Sequence, residues 1–164
     1  MANIKYIRPT WNEYFFDVMH AIAKRATCSR GRSGCVIAKD KHIVTTGYVG
    51  APIGLKSCDE IGHLIQEVLK DDGETEEHCV RTVHAEQNAI CQAAKLGISI
   101  NGAELYCTMT PCRACAMLII QCGIKAVHCE KHYPHKAIEE DTLYMFKIAG
   151  VDITFESDEE QKYE

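Results

Sequence analysis

Twice between His84 and Cys115 the chain sets metal-ligating side chains at the start of a segment that reads as a helix, and a strand's length of sequence separates the two starts. His84-Ala85-Glu86 opens the first, within a helix expected over Val83 to Leu96 that Gly97 closes as a C-cap. Pro111-Cys112-Arg113-Ala114-Cys115 opens the second, expected over Pro111 to Gln121, with proline in its first turn and Gly123 just past its end. The 24 residues between Glu86 and Pro111 have room for one helix, a turn and one strand, Glu104 to Met109. That strand can return the chain so that both helix starts lie side by side. One imidazole and two thiolates then converge, and the partial positive charge of two helix N-termini favours the thiolates.

The rest of the chain builds around this core. Thr10 to Thr27 reads as a helix with capping-box spacing between Thr10 and Glu13. Its apolar face is Trp11, Tyr14, Phe15, Val18 and Ile22. Gly34 to Ala38 and Ile43 to Tyr48 form a hairpin across Lys39-Asp40-Lys41-His42, and Val49 to Ser57 is a loop. Cys58 to Lys70 fits a second helix with Ile61, Leu64, Ile65, Val68 and Leu69 inward, followed by an acidic solvated loop, Asp71 to Glu77. After Gly123 come a strand (Lys125 to Cys129), a helix (Ala137 to Ala149) and a last strand (Val151 to Phe155). The charged tail over residues 156–164 is expected to fray. Strands alternating with helices imply parallel pairing with helices on both faces.

Three protein ligands leave a fourth tetrahedral position for water, the arrangement of a catalytic rather than a structural zinc. Glu86 follows His84 by two residues, close enough to take a proton from that water without binding the metal. The order H-x-E, then P-C-x-x-C, is the signature of the zinc deaminases, in which the glutamate lies outside the ligand set. A lone C-x-x-C is as often a redox pair or half a zinc knuckle. Both motifs together, each heading a helix, are much rarer.

Composition narrows the setting. The chain has 164 residues, which suits one domain, and 46% hydrophobic with 25% charged residues is an ordinary globular balance. Lys plus Arg is 18 and Asp plus Glu is 23, giving a net charge of −5. A nucleic-acid partner, which calls for a basic surface, is therefore not expected. No apolar run is long enough for a membrane span, so no membrane partner is expected either. Met1 to Pro9 has no apolar core like that of a secretory signal. Ten cysteines then read as reduced thiols or metal ligands in a cytosol rather than as disulfides.

The chain resembles the deoxycytidylate (dCMP) deaminases of bacterial and phage type, within the cytidine deaminase superfamily, over about Thr10 to Phe155. The resemblance lies in Thr27-Cys28-Ser29-Arg30, in Gly47-Tyr48-Val49-Gly50-Ala51-Pro52, in Cys58-Asp59-Glu60-Ile61-Gly62-His63, in the run from His78 through His84-Ala85-Glu86 to Ile90, in Pro111 to Cys115, and in Gly123-Ile124-Lys125 followed by Tyr133. It implies an α/β fold, a three-layer α/β/α sandwich with a central mixed five-stranded sheet in a single domain. It implies zinc-dependent hydrolysis of dCMP to dUMP and ammonia, feeding dTMP synthesis. It further implies a homohexamer, activation by dCTP with Mg²⁺ and inhibition by dTTP, in a bacterial or phage-infected host cytosol. By matching positions, Tyr133 lies near the substrate phosphate, Arg30 is the charged contact to phosphate or to another part of the nucleotide, and backbone groups of Ala85 and Thr110 meet the cytosine ring.

One departure bears on specificity. The family reads Gly-Tyr-Asn-Gly where this chain has Gly47-Tyr48-Val49-Gly50. Valine offers no donor or acceptor, so this loop either accepts a 5-substituted dCMP or responds differently to dCTP, unless a neighbour or water replaces the contact. The resemblance also raises a second, structural zinc, for which Cys28, Cys58 and Cys79 are the leading ligands and either His63 or His78 is the fourth. Cys35, Cys91, Cys107, Cys122 and Cys129 read instead as small buried hydrophobes. Two rivals remain: a deaminase of another cytidine or adenosine substrate, and a zinc-binding scaffold without catalysis. The scaffold has no use for a non-ligand acid at Glu86.

Overall fold

The computed structural model describes residues 6–69, 73 and 75–162. Helix α1 (Trp11–Ala23) begins as its sequence requires: the Thr10 N–H donates to Glu13 Oε2 at 2.6 Å, and the Glu13 N–H donates back to Thr10 Oγ1 at 3.3 Å. Its buried stripe is Phe15, Phe16, Met19 and Ala23. Trp11 and Tyr14, expected inward, are 49% and 41% exposed. The helix meets the sheet a fraction of a turn away from its largest aromatics. Trp11 and Tyr14 pack on Phe15 (ring centroids 5.8 and 5.2 Å apart) rather than on a strand.

Strands β1 (Gly34–Lys39) and β2 (His42–Tyr48) form the expected hairpin. Asp40 and Lys41 both take positive φ (51° and 64°), the two-residue turn that matches the twist of the strands. The other sheet strands are β5 (Glu104–Met109), β6 (Ala126–Lys131) and β7 (Asp152–Phe155), and the sheet order is β2-β1-β5-β6-β7. β1 runs antiparallel to β2 and β5; β5, β6 and β7 are parallel. The sheet is therefore mixed and five-stranded.

Alternation sends Val36, Ala38 and Tyr106 to one face, where α1 covers them. Cys35, Ile37, Leu105, Cys107, Val127 and Cys129 point to the other face. There they meet Ala85, Ala89 and Ala93 of α3 (Ala85–Leu96), Ala116 and Ile119 of α4 (Arg113–Gln121), and Phe146 of α5 (Lys136–Ala149). The result is the expected three-layer α/β/α sandwich. Of the cysteines read as buried, Cys91 is exposed, on the solvent side of α3, and Cys122 is half-buried.

Two segments depart from the expectation. The helix placed over Cys58 to Lys70 is only the single turn α2 (Cys58–Ile61), stopped by Gly62 at φ +81°. Ile65–Leu69 is a strand, β3, paired antiparallel with β4 (Thr75–Cys79), so the end of the supposed acidic loop is also a strand. Helical spacing misled because among the described residues no second surface buries that face: Ile61, Leu64, Ile65, Val68 and Leu69 are 40–71% exposed. Residues 70–72 and 74 lie outside the described residues. The tail carries backbone hydrogen bonds as far as Gln161: the His132 N–H donates to the Glu159 carbonyl at 2.8 Å, and the Gln161 N–H donates to the His132 carbonyl at 2.9 Å.

α3 lies directly on β2. A Cβ on Gly47 would stand 2.2 Å from the Ala85 carbonyl oxygen and 2.4 Å from the Ala89 nitrogen. Gly47→Ala is expected to destabilise the fold by about 1–3 kcal/mol through overpacking, measured by chemical denaturation.

Candidate active site

His84 is the N-cap of α3 and Cys112 the N-cap of α4; Cys115 lies in the first turn of α4. The His84 N–H donates to Gln87 Oε1 at 3.2 Å. An antiparallel bridge between Gly50 and Val83 holds the start of α3 against the loop after β2. α3 packs on β1 as well as β2, and antiparallel pairing of β1 with β5 puts the end of β5, and hence Cys112, beside that start. Cys112 Sγ and Cys115 Sγ are each 3.5 Å from His84 Nδ1, and the three donor atoms lie within 4.8 Å of one another. Donors on one tetrahedral zinc, at bond lengths of about 2.0–2.3 Å, stand roughly 3.5–3.8 Å apart. The spacing, the two sulfurs and the imidazole all fit that ion.

The electrostatics of this group follow from contact. The hydrogen bond with Cys115, helped by His84, holds the Cys112 thiol at about 4 against its burial. The bond with Cys112 pushes His84 up to about 9. That bond and burial raise the Cys115 thiol. Glu86 is 7% exposed, and Cys115 Sγ lies 3.6 Å from its Oε2. Burial raises the Glu86 carboxyl, and the neighbouring His84 opposes that rise.

A second group joins Cys28, Cys58, His63 and Cys79, again with all donor atoms within 4.8 Å. Cys28 Sγ is 3.6 Å from His63 Nδ1, and Cys58 Sγ is 3.5 Å from Cys79 Sγ. Against its burial, backbone groups of Arg81 and Leu64 hold the Cys79 thiol at about 7, whereas burial pushes Cys58 up to about 12. His78, the alternative fourth donor, stands apart: its Nε2 lies 3.5 Å from Glu76 Oε2. Four donors spaced like this fit a closed tetrahedral site.

Both groups border one cavity of about 370 Å³, which reaches Cys28 and Cys79 on one side and His84, Cys112 and Glu86 on the other. Arg30, Val49, Thr110 and Tyr133 line it as well. The Arg30 guanidinium donates to the Glu77 carbonyl at 3.0 Å and so also ties β4 to the loop after α1. Ala85 is fully buried; it, Tyr48 and Gly50 are not in the cavity wall. Sequence reasoning missed Glu76 and His135, whose side chains pair in the same wall. The loop holding Glu76 read as solvated, the segment holding His135 lay between the last elements read, and no local pattern marks either residue. Among the described residues, no helix is long and apolar enough to cross a membrane.

A mixed five-stranded sheet with one imidazole, two sulfurs and a buried acid gathered at two helix N-termini is the arrangement of the zinc-dependent deaminases. The family described as cytidine and deoxycytidylate deaminase zinc-binding region matches residues 9–131. The chain is 38% identical over 146 residues to ComE operon protein 2 of Bacillus subtilis, covering 89% of this chain and 71% of that protein. It is 33% identical over 153 residues to the deoxycytidylate deaminase of Schizosaccharomyces pombe, covering 93% of this chain but only 46% of that enzyme. Its structure superposes on that of cyanophage S-TIM5 dCMP deaminase in complex with dCMP and dUMP with a TM-score of 0.71, at 28% identity, covering 92% and 99% of the two chains. The chain belongs to the cytidine and deoxycytidylate deaminase family, and zinc is the metal of that family.

Proposed function

We propose that the chain is a single-domain dCMP deaminase that hydrolyses dCMP to dUMP and ammonia and so supplies dTMP synthesis. The observation that carries this reading is Glu86, a buried acid beside a three-donor metal group in a cavity of nucleotide size. The likeness to the cyanophage enzyme, described with dCMP and dUMP, supports the choice of substrate. His84, Cys112 and Cys115 are the ligands. When bound, zinc lowers the pKa of water from about 15.7 toward about 7, so that hydroxide is available at neutral pH. Glu86 takes a proton from water and gives it to ring N3 as the water oxygen bonds to C4. It then carries the remaining hydroxyl proton to the 4-amino group as the C4–N bond breaks, leaving the C4 carbonyl of dUMP and ammonia. Burial of Glu86 keeps bulk water from competing for that proton. The backbone of Thr110, in the cavity wall, meets the ring, while Arg30 and Tyr133 serve the phosphate; Ala85, buried behind the wall, supports the start of α3 rather than touching the ring. Glu86→Gln is expected to keep its zinc and to lose about 10²–10⁴-fold in turnover of dCMP, read by ammonia release beside metal analysis. Wild-type turnover in that variant contradicts the role, and a wild type that leaves dCMP unchanged restores the scaffold or another cytidine or adenosine substrate.

Cys28, Cys58, His63 and Cys79 hold a second, structural zinc that fastens α2 and the β3–β4 hairpin to the loop after α1. An exposed two-stranded hairpin is marginal by itself, and such an ion supplies what its apolar contacts do not. His63→Ala is expected to lower the zinc content from two ions per chain to one and to expose the segment from Cys58 to Cys79 to proteolysis. His78→Ala retains both ions.

Regulation by dCTP with Mg²⁺ and by dTTP, assembly as a homohexamer and a cytosolic location extend the same reading. Exposed Met117, Leu118, Tyr144 and Ile148 on α4 and α5 supply apolar surface that assembly would cover. A second reading of the substrate rests on Val49, which is 7% exposed and lines the cavity without a polar side-chain atom. A branched apolar wall suits a 5-substituted ring. Val49→Asn is expected to shift preference toward plain dCMP or to strengthen the dCTP response, measured on a panel of dCMP and 5-substituted dCMP with and without dCTP–Mg²⁺. An unchanged panel makes the substitution neutral.

A further inference from the structure

We infer that Glu139 is a positioning residue of the nucleotide site, one carboxylate oxygen that locks the loop after β5 to the loop after β6. Glu139 lies in the first turn of α5, where a negative charge is favoured by the helix dipole. Its side chain is only 13% exposed. Oε1 accepts three hydrogen bonds, from Thr110 Oγ1 at 2.5 Å, from His132 Nδ1 at 3.0 Å and from the Tyr133 N–H at 3.1 Å. Thr110 belongs to the loop that leads into Cys112, and His132 and Tyr133 follow β6. Thr110 and Tyr133 line the cavity, whereas Glu139 does not. The carboxylate therefore acts on the site only through the two loops it joins.

The position of this contact gives it its consequence. Sheet pairing carries β5 and β6 as far as Met109 opposite Lys131, and the Thr110 N–H still donates to the Lys131 carbonyl at 3.2 Å. Beyond that the chains diverge, one into α4 and the other toward α5. Glu139 bridges them where they part. The far side of the bridge is itself fixed: the His132 ring stacks on Phe155 at 3.9 Å, and its backbone is bonded to Glu159 and Gln161. α5 also holds the start of α4, through Thr142 Oγ1 donating to the Pro111 carbonyl at 3.1 Å and through Asp141 with Arg113 at 2.5 Å. Those two contacts do not reach the loop after β6; Glu139 reaches both. One carboxylate oxygen shared by three donors makes a stiff junction.

The inference rests on the proposed dCMP activity, in which Thr110 serves the ring end and Tyr133 the phosphate end of one nucleotide. Glu139 then sets the distance between those ends. Loosening it leaves the metal group and Glu86 in place but lets Tyr133 drift from the phosphate.

The test uses the zinc-loaded protein with Glu139→Ala, Glu139→Gln, Tyr133→Phe and the double variant Glu139→Ala/Tyr133→Phe. Glu139→Ala is expected to raise KM for dCMP by about tenfold to a hundredfold, the scale of a misplaced binding group, with kcat within about threefold of wild type. Zinc content stays close to wild type, and the melting temperature falls by several degrees while unfolding stays cooperative. Glu139→Gln, which keeps an acceptor but not the charge, gives a smaller rise and serves if the alanine variant does not fold. The double variant is expected to be little worse than Glu139→Ala, because both act on one contact. Additive effects of Glu139→Ala and Tyr133→Phe, a fall in kcat at unchanged KM, or no change at all overturn the inference while leaving the dCMP reading intact. A wild type that leaves dCMP unchanged overturns both.

Discussion

The contact of α3 with β2 at Gly47 is the constraint on which the site depends. Ala85 and Ala89 bring helix backbone against strand backbone where no side chain can stand between them. Thr45 Oγ1 donates to the Ala89 carbonyl at 3.0 Å and Asn88 Nδ2 to the Tyr48 carbonyl at 2.9 Å, so the helix is bonded to the strand as well as packed on it. His84 and Glu86, at the first turn of that helix, inherit its position. Cys112 and Cys115 inherit theirs from β5, which pairs antiparallel with β1, a strand that α3 also packs on. A metal group assembled from two helix N-termini has little freedom once both helices are anchored to one sheet.

The wall of the cavity is built by other means. The β3–β4 hairpin is not part of the sheet and lays little apolar surface on the core, yet Thr75 to Cys79 form one side of the cavity. Polar links hold it: Arg30 to the Glu77 carbonyl, Glu76 to His135, and the four-donor group of Cys28, Cys58, His63 and Cys79. Two strategies therefore meet at one site. Hydrophobic burial, non-directional but extensive, sets the catalytic floor. A few directional contacts set the lid side, where each link matters more because no apolar surface stands behind it.

The order of H-x-E and P-C-x-x-C, the helices that end at Gly97 and just before Gly123, and the strand–helix alternation after residue 100 were legible in the sequence because each is local. Spacing places ligands on helix starts, glycine marks helix ends, and alternation implies parallel strands. The same local logic read Cys58 to Lys70 as a helix, since apolar residues recur there at helical intervals. Whether such a face is used depends on another surface to bury it, and among the described residues none buries this segment. Trp11 and Tyr14 failed for a related reason: the register of α1 on the sheet is set by how Phe15, Phe16 and Met19 fit, not by residue size.

What the sequence determined by itself was the chemistry: which residues can bind a metal, which acid stands beside them, and the class of fold that brings them together. The tertiary structure alone brought His63 rather than His78 within 4.8 Å of the sulfurs of Cys28, Cys58 and Cys79, placed Val49 in the cavity wall while leaving Tyr48 and Gly50 out, and gathered Thr110, His132 and Tyr133 on Glu139. The physical reason is range. Capping, turn and ligand spacings act over a few residues and are written in the order of the chain. Contacts between segments tens of residues apart depend on how whole elements pack, and no short stretch of sequence contains that packing.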